Sequence, residues 1–154
     1  GTGDPAYEER LRALAESRPG AMAVMLAYNE GLAHRIEAGA DIFLMPSLFE
    51  PCGLNQLYSL RYGTLPLVRA VGGLADTVVD ADEAAIANGT ATGFVFVQPT
   101  PEDFLAVVQR ACRQWREPDR WRALQLTGMT QDFSWHQSAE RYLALYREAM
   151  NLER

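Results

Sequence analysis

Four short runs of the chain are almost wholly apolar, and they constrain the fold more than any other feature. They are residues 22–28, 41–45, 65–69 and 94–97. A strand with one wet face alternates apolar and polar residues, whereas a strand without that alternation is buried on both faces. Strands of the second kind belong to parallel sheets that helices cover. We therefore expect a covered parallel sheet built from these four strands.

Helical patterns separate and follow these runs. Apolar residues spaced three and four apart predict helices near residues 6–17, 29–38, 53–62, 100–115, 119–125 and from 134 onward. One or two helical turns are expected at 74–79 and a surface loop at 80–93. The pairs Thr100 with Pro101 and Ser134 with Gln137 are typical of helix starts. Strands that alternate with helices form βαβ units, so the predicted fold class is α/β, a doubly wound parallel sheet with helices on both faces.

Ligands of such sheets bind beyond the carboxyl ends of the strands. The loop after the second run contains Glu50, Cys52 and Gly53, and a helix is predicted to begin at that glycine. A glycine at a helix mouth lets an anion approach the free N–H groups of the first turn, where the helix dipole favours a diphosphate. Glu50 could accept hydrogen bonds from sugar hydroxyls. An ordinary strand-to-helix turn, with Glu50 as a partner of the helix dipole, explains the same residues.

Two further strand ends carry candidate ligand contacts. Gly72 and Gly73 follow the third run, and their N–H groups could form an anion-binding nest. A tight turn is the alternative interpretation of that pair. Tyr28, at the end of the first run, could stack on a nucleobase or could belong to the core.

The charge and the cysteines exclude several classes of function. The formal net charge is −6, and the 14 basic residues are all Arg and form no run, which disfavours binding to nucleic acid. No apolar run approaches the roughly 20 residues that span a bilayer, so no membrane partner is expected. Cys52 and Cys112 are predicted to be free thiols, and neither His34 nor His136 has partners for a zinc site or a catalytic triad. These features favour a cytoplasmic protein without a metal.

Four stretches taken together resemble bacterial glycogen synthases and plant starch synthases. They are residues 41–58, 61–69, 72–78 and 132–135, and the similarity extends over nearly the whole chain. The resemblance implies the Rossmann-like carboxyl-terminal lobe of a two-lobed glycosyltransferase of the GT-B type. Such an enzyme transfers glucose, with retention, from ADP-glucose to the non-reducing end of an α-1,4-glucan. It needs no metal, and no cofactor beyond the donor substrate ADP-glucose is implied.

The resemblance also assigns roles to individual residues. Glu50 matches the acid beside the donor glucose, where it would favour positive charge developing at the anomeric carbon. The implied donor-binding residues are Tyr28, Cys52, Gly53, Leu54, Asn55, Gly72 and Gly73. Of these, Tyr28 would lie against the adenine. The wider superfamily often has a second acid eight residues after the first, and this chain has Tyr58 there.

The resemblance predicts that residues 1–154 are part of a donor-binding lobe, without the amino-terminal lobe or the first strands. The Lys that helps to neutralise the donor diphosphate in the family has no counterpart, since the chain contains no Lys. We therefore expect the isolated chain to be inactive, to bind ADP-glucose weakly and to self-associate through uncovered apolar surfaces. Two alternatives stay open: a stand-alone, non-catalytic module that binds a nucleotide or a protein, and a related UDP-sugar-dependent glycosyltransferase.

Overall fold

The computed structural model describes residues 3–152, which divide into two compact units between Ile36 and Glu37. The first unit contains helix α1 (Pro5–Ser17) and most of helix α2 (Glu30–Gly39). The second unit contains the sheet and all the remaining helices. Both helices of the first unit lie where the apolar spacing predicts them.

The strand predicted at residues 22–28 is wrong. These residues are irregular, and within the described chain no segment pairs with them as a strand. An apolar run becomes a strand only where a neighbouring strand satisfies its backbone N–H and C=O groups. The helix predicted to follow is correct, because the Asn29 side chain caps it by accepting a hydrogen bond from the N–H of Leu32 at 2.9 Å.

Three parallel strands form the sheet of the second unit, and they confirm the other three predicted strands. They are β1 (Ile42–Met45), β2 (Leu65–Arg69) and β3 (Phe94–Phe96), hydrogen-bonded in the order β1-β2-β3. Because all the pairs are parallel, the three carboxyl ends lie at one edge of the sheet.

Six helices follow the strands of this unit. They are α3 (Asn55–Tyr62), α4 (Gly72–Thr77), α5 (Glu83–Ala87), α6 (Pro101–Trp115), α7 (Pro118–Met129) and α8 (Trp135–Leu152). The loop predicted at 80–93 is wrong in part, because Asp82 caps the short α5 by accepting from the N–H of Ala85 at 2.7 Å. The predicted start of α6 is confirmed, since Thr100 Oγ1 accepts from the N–H of Asp103 at 3.3 Å.

Helices cover both faces of the sheet, as predicted. Side chains of β2 and β3 pack on one face with residues of α6 and α7; the buried members of this cluster include Leu65, Leu67, Phe94, Phe96, Val107, Ala111, Trp121 and Leu124. On the opposite face Val68 packs with Leu74 of α4 and with Val78. The alternation of Leu67 and Val68 between the two clusters follows from the period of two in a strand.

An ion pair fastens α6 to the sheet. Arg110 meets both carboxylate oxygens of Asp80, at 2.6 and 2.9 Å, and its guanidinium carbon lies 5.6 Å from the centre of the Phe94 ring. Asp80 also accepts a hydrogen bond from the N–H of Val95 in β3 at 2.7 Å. Both charged side chains are about one-third exposed or less. The pair therefore joins α6, β3 and the segment that precedes α5.

The apolar spacing predicts that Leu54, Leu57, Tyr58 and Tyr62 share one face of α3, but the structure buries a different face. In α3 the buried residues are Gln56, Ser59 and Leu60, whereas Tyr58 and Tyr62 are exposed. The spacing of Tyr142 and Tyr146 in α8 predicts either a core-facing stripe or a surface for a missing partner domain, and the structure leaves this stripe exposed, with Leu143 and Met150 beside it. Apolar spacing thus finds a helix, but it does not show which surface the rest of the fold offers to that helix.

A carboxylate supports the turn before α8. The N–H of Ser134 donates to the Asp132 carboxylate at 2.8 Å. Hydrogen bonds from the backbone and the hydroxyl of Ser134, with a smaller contribution from the charge of His136, hold the pKa of Asp132 below its ordinary value. Asp132 therefore provides an acceptor at this turn, and the capping box of Ser134 with Gln137 stays a prediction.

Candidate functional site

Two loops lie side by side at the carboxyl edge of the sheet. Residues 46–54 connect β1 to α3, and residues 70–71 connect β2 to α4. Met45 and Val68 are register partners near the ends of their strands, so the chain leaves the sheet twice at neighbouring points. This edge is where doubly wound sheets bind ligands.

The backbones of the two loops touch. A β-carbon on Gly72 would overlap the carbonyl of Glu50, and one on Gly73 would overlap the carbonyl of Cys52. The N–H of Gly73 donates to the carbonyl of Pro51 at 3.3 Å. Gly72 has a φ of +47°, a conformation that L side chains rarely adopt. The glycine pair is therefore required by close approach of the main chain as well as by the turn.

Helix α3 begins beside this contact without a side-chain cap. Leu54 is its N-cap residue and forms no side-chain cap hydrogen bond, so the first N–H groups of the helix have no cap. Such N–H groups, together with the positive end of the helix dipole, attract anions. Gly53 precedes the helix with a φ of +74°. The structure therefore brings together Gly53, Leu54 and the glycine pair.

Glu50 is half-buried in the first loop, and its backbone faces the glycine turn. Its neighbour Phe49 is 79% exposed, and Cys52 is an exposed free thiol. Asn55, the first residue of α3, is also exposed. The predicted residues of this loop therefore lie together on an accessible surface.

Tyr28 belongs to the other compact unit. Its side chain is 86% exposed, so the alternative that it packs in the core is wrong. A role against an adenine stays a prediction.

Arg69 holds the first loop from the end of β2, a role that sequence reasoning missed. Its Nε donates to the carbonyl of Ser47 at 2.7 Å, and its Nη2 donates to the carbonyl of Leu48 at 2.5 Å. Two donors of one rigid guanidinium thus meet consecutive carbonyls just before Glu50. An Arg that ends an otherwise apolar strand was the signal that could have identified it.

Gln56 ties the two loops together and was also missed. Its side chain is fully buried, and its Nε2 lies 3.2 Å from the carbonyl of Cys52, 3.1 Å from that of Gly53 and 3.3 Å from Thr77 Oγ1. The signal was present in the sequence, because Gln56, Leu60 and Gly63 share a helical face at spacings of four and three. A polar residue on that face predicts a buried hydrogen-bonding role.

Other kinds of site find no support in the part of the chain that the structure describes. Between residues 3 and 152, no three His, Cys, Asp or Glu side chains are grouped as metal ligands. Cys52 and Cys112 are both unpaired thiols. No helix in the same range is both long and apolar enough to cross a membrane.

Comparison with known proteins gives a consistent result. The family described as glycosyl transferases group 1 matches residues 2–123. Glycogen synthase 1 of Methylococcus capsulatus is 57% identical over 97% of this chain, and the glycogen synthase of Nitrosospira multiformis is 53% identical over all of it. The chain spans only 30% and 31% of those two proteins.

Solved structures agree with this result. The catalytic domain of starch synthase IV from Arabidopsis thaliana, bound to ADP and acarbose, is 33% identical over 96% of this chain and 31% of its own, with a TM-score of 0.82. A sucrose-phosphate synthase from Thermosynechococcus elongatus shares the fold, with a TM-score of 0.65 at 22% identity. The Rossmann-like fold and the resemblance to glycogen and starch synthases are thereby confirmed. The chain belongs to the group 1 family of glycosyltransferases.

Proposed function

We propose that this chain forms the donor-side wall of the active site in a glycogen synthase-like enzyme. The enzyme transfers glucose from ADP-glucose to the non-reducing end of an α-1,4-glucan, with retention of configuration. Two curated relatives that share more than half of its residues carry the name glycogen synthase. The observation that carries the proposal is the backbone contact between the Glu50 loop and the glycine turn, which frames one anion-attracting helix start.

In this proposal the two loops contact different parts of the donor. The uncapped start of α3 receives the diphosphate through backbone N–H groups and the helix dipole, and the turn at Gly72 and Gly73 lets the main chain approach it closely. The Glu50 carboxylate accepts hydrogen bonds from the glucose hydroxyls and favours positive charge that develops at the anomeric carbon. Cys52 and Asn55 line the sugar and phosphate positions.

The test uses the complete gene product that contains these residues, because a transferase of this family also needs cationic groups for its leaving diphosphate. Transfer of labelled glucose from ADP-glucose to glycogen is measured for the wild type, for Glu50→Gln and for Glu9→Gln. Glu9 is an exposed carboxylate on α1 and is a matched control for the loss of one charge.

Glu50→Gln is expected to lower kcat about 10²- to 10³-fold, the size of effect that follows the loss of one electrostatic group at a reaction centre. Glu9→Gln is expected to match the wild type. An effect of Glu50→Gln no larger than that of the control would contradict the role of Glu50. A complete absence of transfer by the wild type would favour a non-catalytic binding module.

The identity of the donor is tested separately. In competition, ADP-glucose is expected to be transferred in preference to UDP-glucose, and chelation of divalent cations is expected to leave the rate unchanged. Preference for UDP-glucose would identify the related UDP-sugar-dependent activity instead. We also propose a cytoplasmic location, where ADP-glucose and glycogen would be available to the enzyme. Cell fractionation tests this location.

A further inference from the structure

The buried carboxamide of Gln56 is the centre of a hydrogen-bonded circuit. The two hydrogens of its Nε2 are shared among three acceptors, which are the carbonyls of Cys52 and Gly53 and Thr77 Oγ1. Thr77 in turn donates from its hydroxyl to the carbonyl of Gly73 at 2.5 Å. The circuit closes because the N–H of Gly73 donates to the carbonyl of Pro51, next to Cys52.

The direction of each bond in the circuit is fixed by chemistry. Carbonyl oxygens only accept, so the NH₂ end of Gln56 must face Cys52 and Gly53. A Thr hydroxyl has one hydrogen, and here it is used on Gly73, so Thr77 Oγ1 can only accept from Gln56. The circuit therefore requires an NH₂ donor at residue 56 and a hydroxyl at residue 77 that both accepts and donates.

The burial of Gln56 also costs free energy of folding, because one of its polar atoms has no partner. Gln56 Oε1 is buried and has no hydrogen-bond partner among the described residues. The same oxygen occupies the space that a side chain on Gly53 would need. A buried polar atom left without a partner disfavours the folded state, and an apolar side chain of similar size would avoid that cost. The amide at this position is therefore explained by the hydrogen bonds that its nitrogen donates.

We infer that Gln56 and Thr77 are positioning residues, which fix the Glu50 loop against the glycine turn for donor binding and transfer. This inference rests on the proposed function, because the loops are taken to hold the sugar nucleotide. Neither side chain needs to touch the donor. Their effect passes through the backbone of Cys52, Gly53 and Gly73, at both sides of the start of α3.

The experiment compares four variants in the complete gene product. Gln56→Met removes the donor and keeps a side chain of similar length, Thr77→Val breaks the link to Gln56, and Thr77→Ser keeps it. Gln114→Met is the matched control, because Gln114 lies on α6 and its Oε1 is likewise buried without a partner. The measurements are kcat and KM for ADP-glucose and for glycogen, with the melting temperature of each variant.

Gln56→Met and Thr77→Val are expected to lower kcat/KM for ADP-glucose about 10- to 100-fold, the loss that follows a misplacement of about 1 Å. Their melting temperatures and their KM for glycogen are expected to stay close to the wild type. Thr77→Ser and Gln114→Met are expected to keep wild-type kinetics. Wild-type kinetics in Gln56→Met and Thr77→Val would overturn the inference, as would losses that scale only with the folded fraction.

Hydrogen exchange separates failure of this inference from failure of the proposed function. If the wild type transfers no glucose, the proposed function fails, but the circuit still predicts faster amide exchange at residues 51–55 and 72–74 in Gln56→Met than in the control. Unchanged exchange there would overturn the inference without reference to any ligand. If Gln56→Met does not fold, the comparison of Thr77→Val with Thr77→Ser decides in the same way.

Discussion

The contact between Gly72 and the carbonyl of Glu50 leads to a quantitative prediction for Gly72→Ala. An added β-carbon would meet two separate penalties in this substitution. The first is the positive φ of +47°, which an L side chain rarely adopts. The second is overlap with a backbone carbonyl, an atom that cannot turn aside as the end of a flexible side chain could.

The size of each penalty can be estimated. Placing an L residue in the left-handed region costs about 1–2 kcal/mol. Forcing an extra carbon into a packed site costs a further 1–3 kcal/mol, approximately, through shifts of the backbone. The sum, roughly 2–5 kcal/mol, is a large part of the 5–15 kcal/mol by which domains are typically stable. We expect the melting temperature to fall by on the order of 10 °C.

Three other glycines separate the two penalties. Gly89 has a φ of +66° and open space around it, so Gly89→Ala measures the cost of conformation alone, about 1 kcal/mol. Gly73 has no positive φ but the same kind of overlap, so Gly73→Ala measures the steric cost alone. Gly39, at the end of α2, has neither, and Gly39→Ala is expected to be neutral or slightly stabilising.

Thermal and urea unfolding, followed by circular dichroism, give the free energy of unfolding of each variant. The expected order of destabilisation is Gly72→Ala, then Gly73→Ala, then Gly89→Ala, with Gly39→Ala last. If Gly72→Ala were no more destabilising than Gly89→Ala, the close approach of the two loops would be refuted.

Three further predictions concern the rest of the second unit. Asp80→Asn should destabilise it by about 1–3 kcal/mol in urea unfolding, more than Glu83→Gln does, because it leaves the part-buried Arg110 without its charge partner. The pKa of Asp132 is lowered by folding, so its stabilising contribution is present above the unfolded pKa, about 3.9, and is lost as pH falls through the folded pKa. Asp132→Asn should therefore lower the free energy of unfolding at neutral pH, and urea unfolding at several pH values should show a smaller fall of that free energy in acid than in the wild type; an equal fall would contradict the role of Asp132. Self-association of the chain should depend on the exposed face of α8, so Tyr142→Ser should lower the average mass that light scattering measures at high concentration, and an unchanged mass would exclude that face.

Local sequence signals predicted most of the helices and strands, but they did not predict the surfaces against which those elements pack. The capping residues and the unbroken apolar runs located α6, β2 and their neighbours, because those signals act within a few residues. The strand predicted at residues 22–28 failed because strand formation depends on a pairing partner from elsewhere in the chain. Whether the apolar face of α8 is buried or exposed could not be predicted for the same reason, since periodicity does not identify the surface against which a helix packs.

The site shows the same division. The position of Glu50 and the glycines at the carboxyl edge of the sheet could be predicted, because loops that follow parallel strands gather there; their role in donor binding stays a prediction. Gln56 and Arg69 each carried a signal in the sequence, but their hydrogen-bond partners could not be predicted, because those partners depend on which carbonyls come within reach after folding.

The contact between the two loops is made by main-chain atoms, and this has a consequence for changing donor selectivity. The carbonyls of Glu50 and Cys52 and the bare α-carbons of Gly72 and Gly73 define the frame, whatever side chains residues 50 and 52 carry. Variation at residues 49, 52 and 54, all exposed, would therefore alter what lines the site without moving its walls. A library of substitutions confined to those three positions, with the glycines held constant, would sample new sugar or nucleotide preferences on an unchanged scaffold.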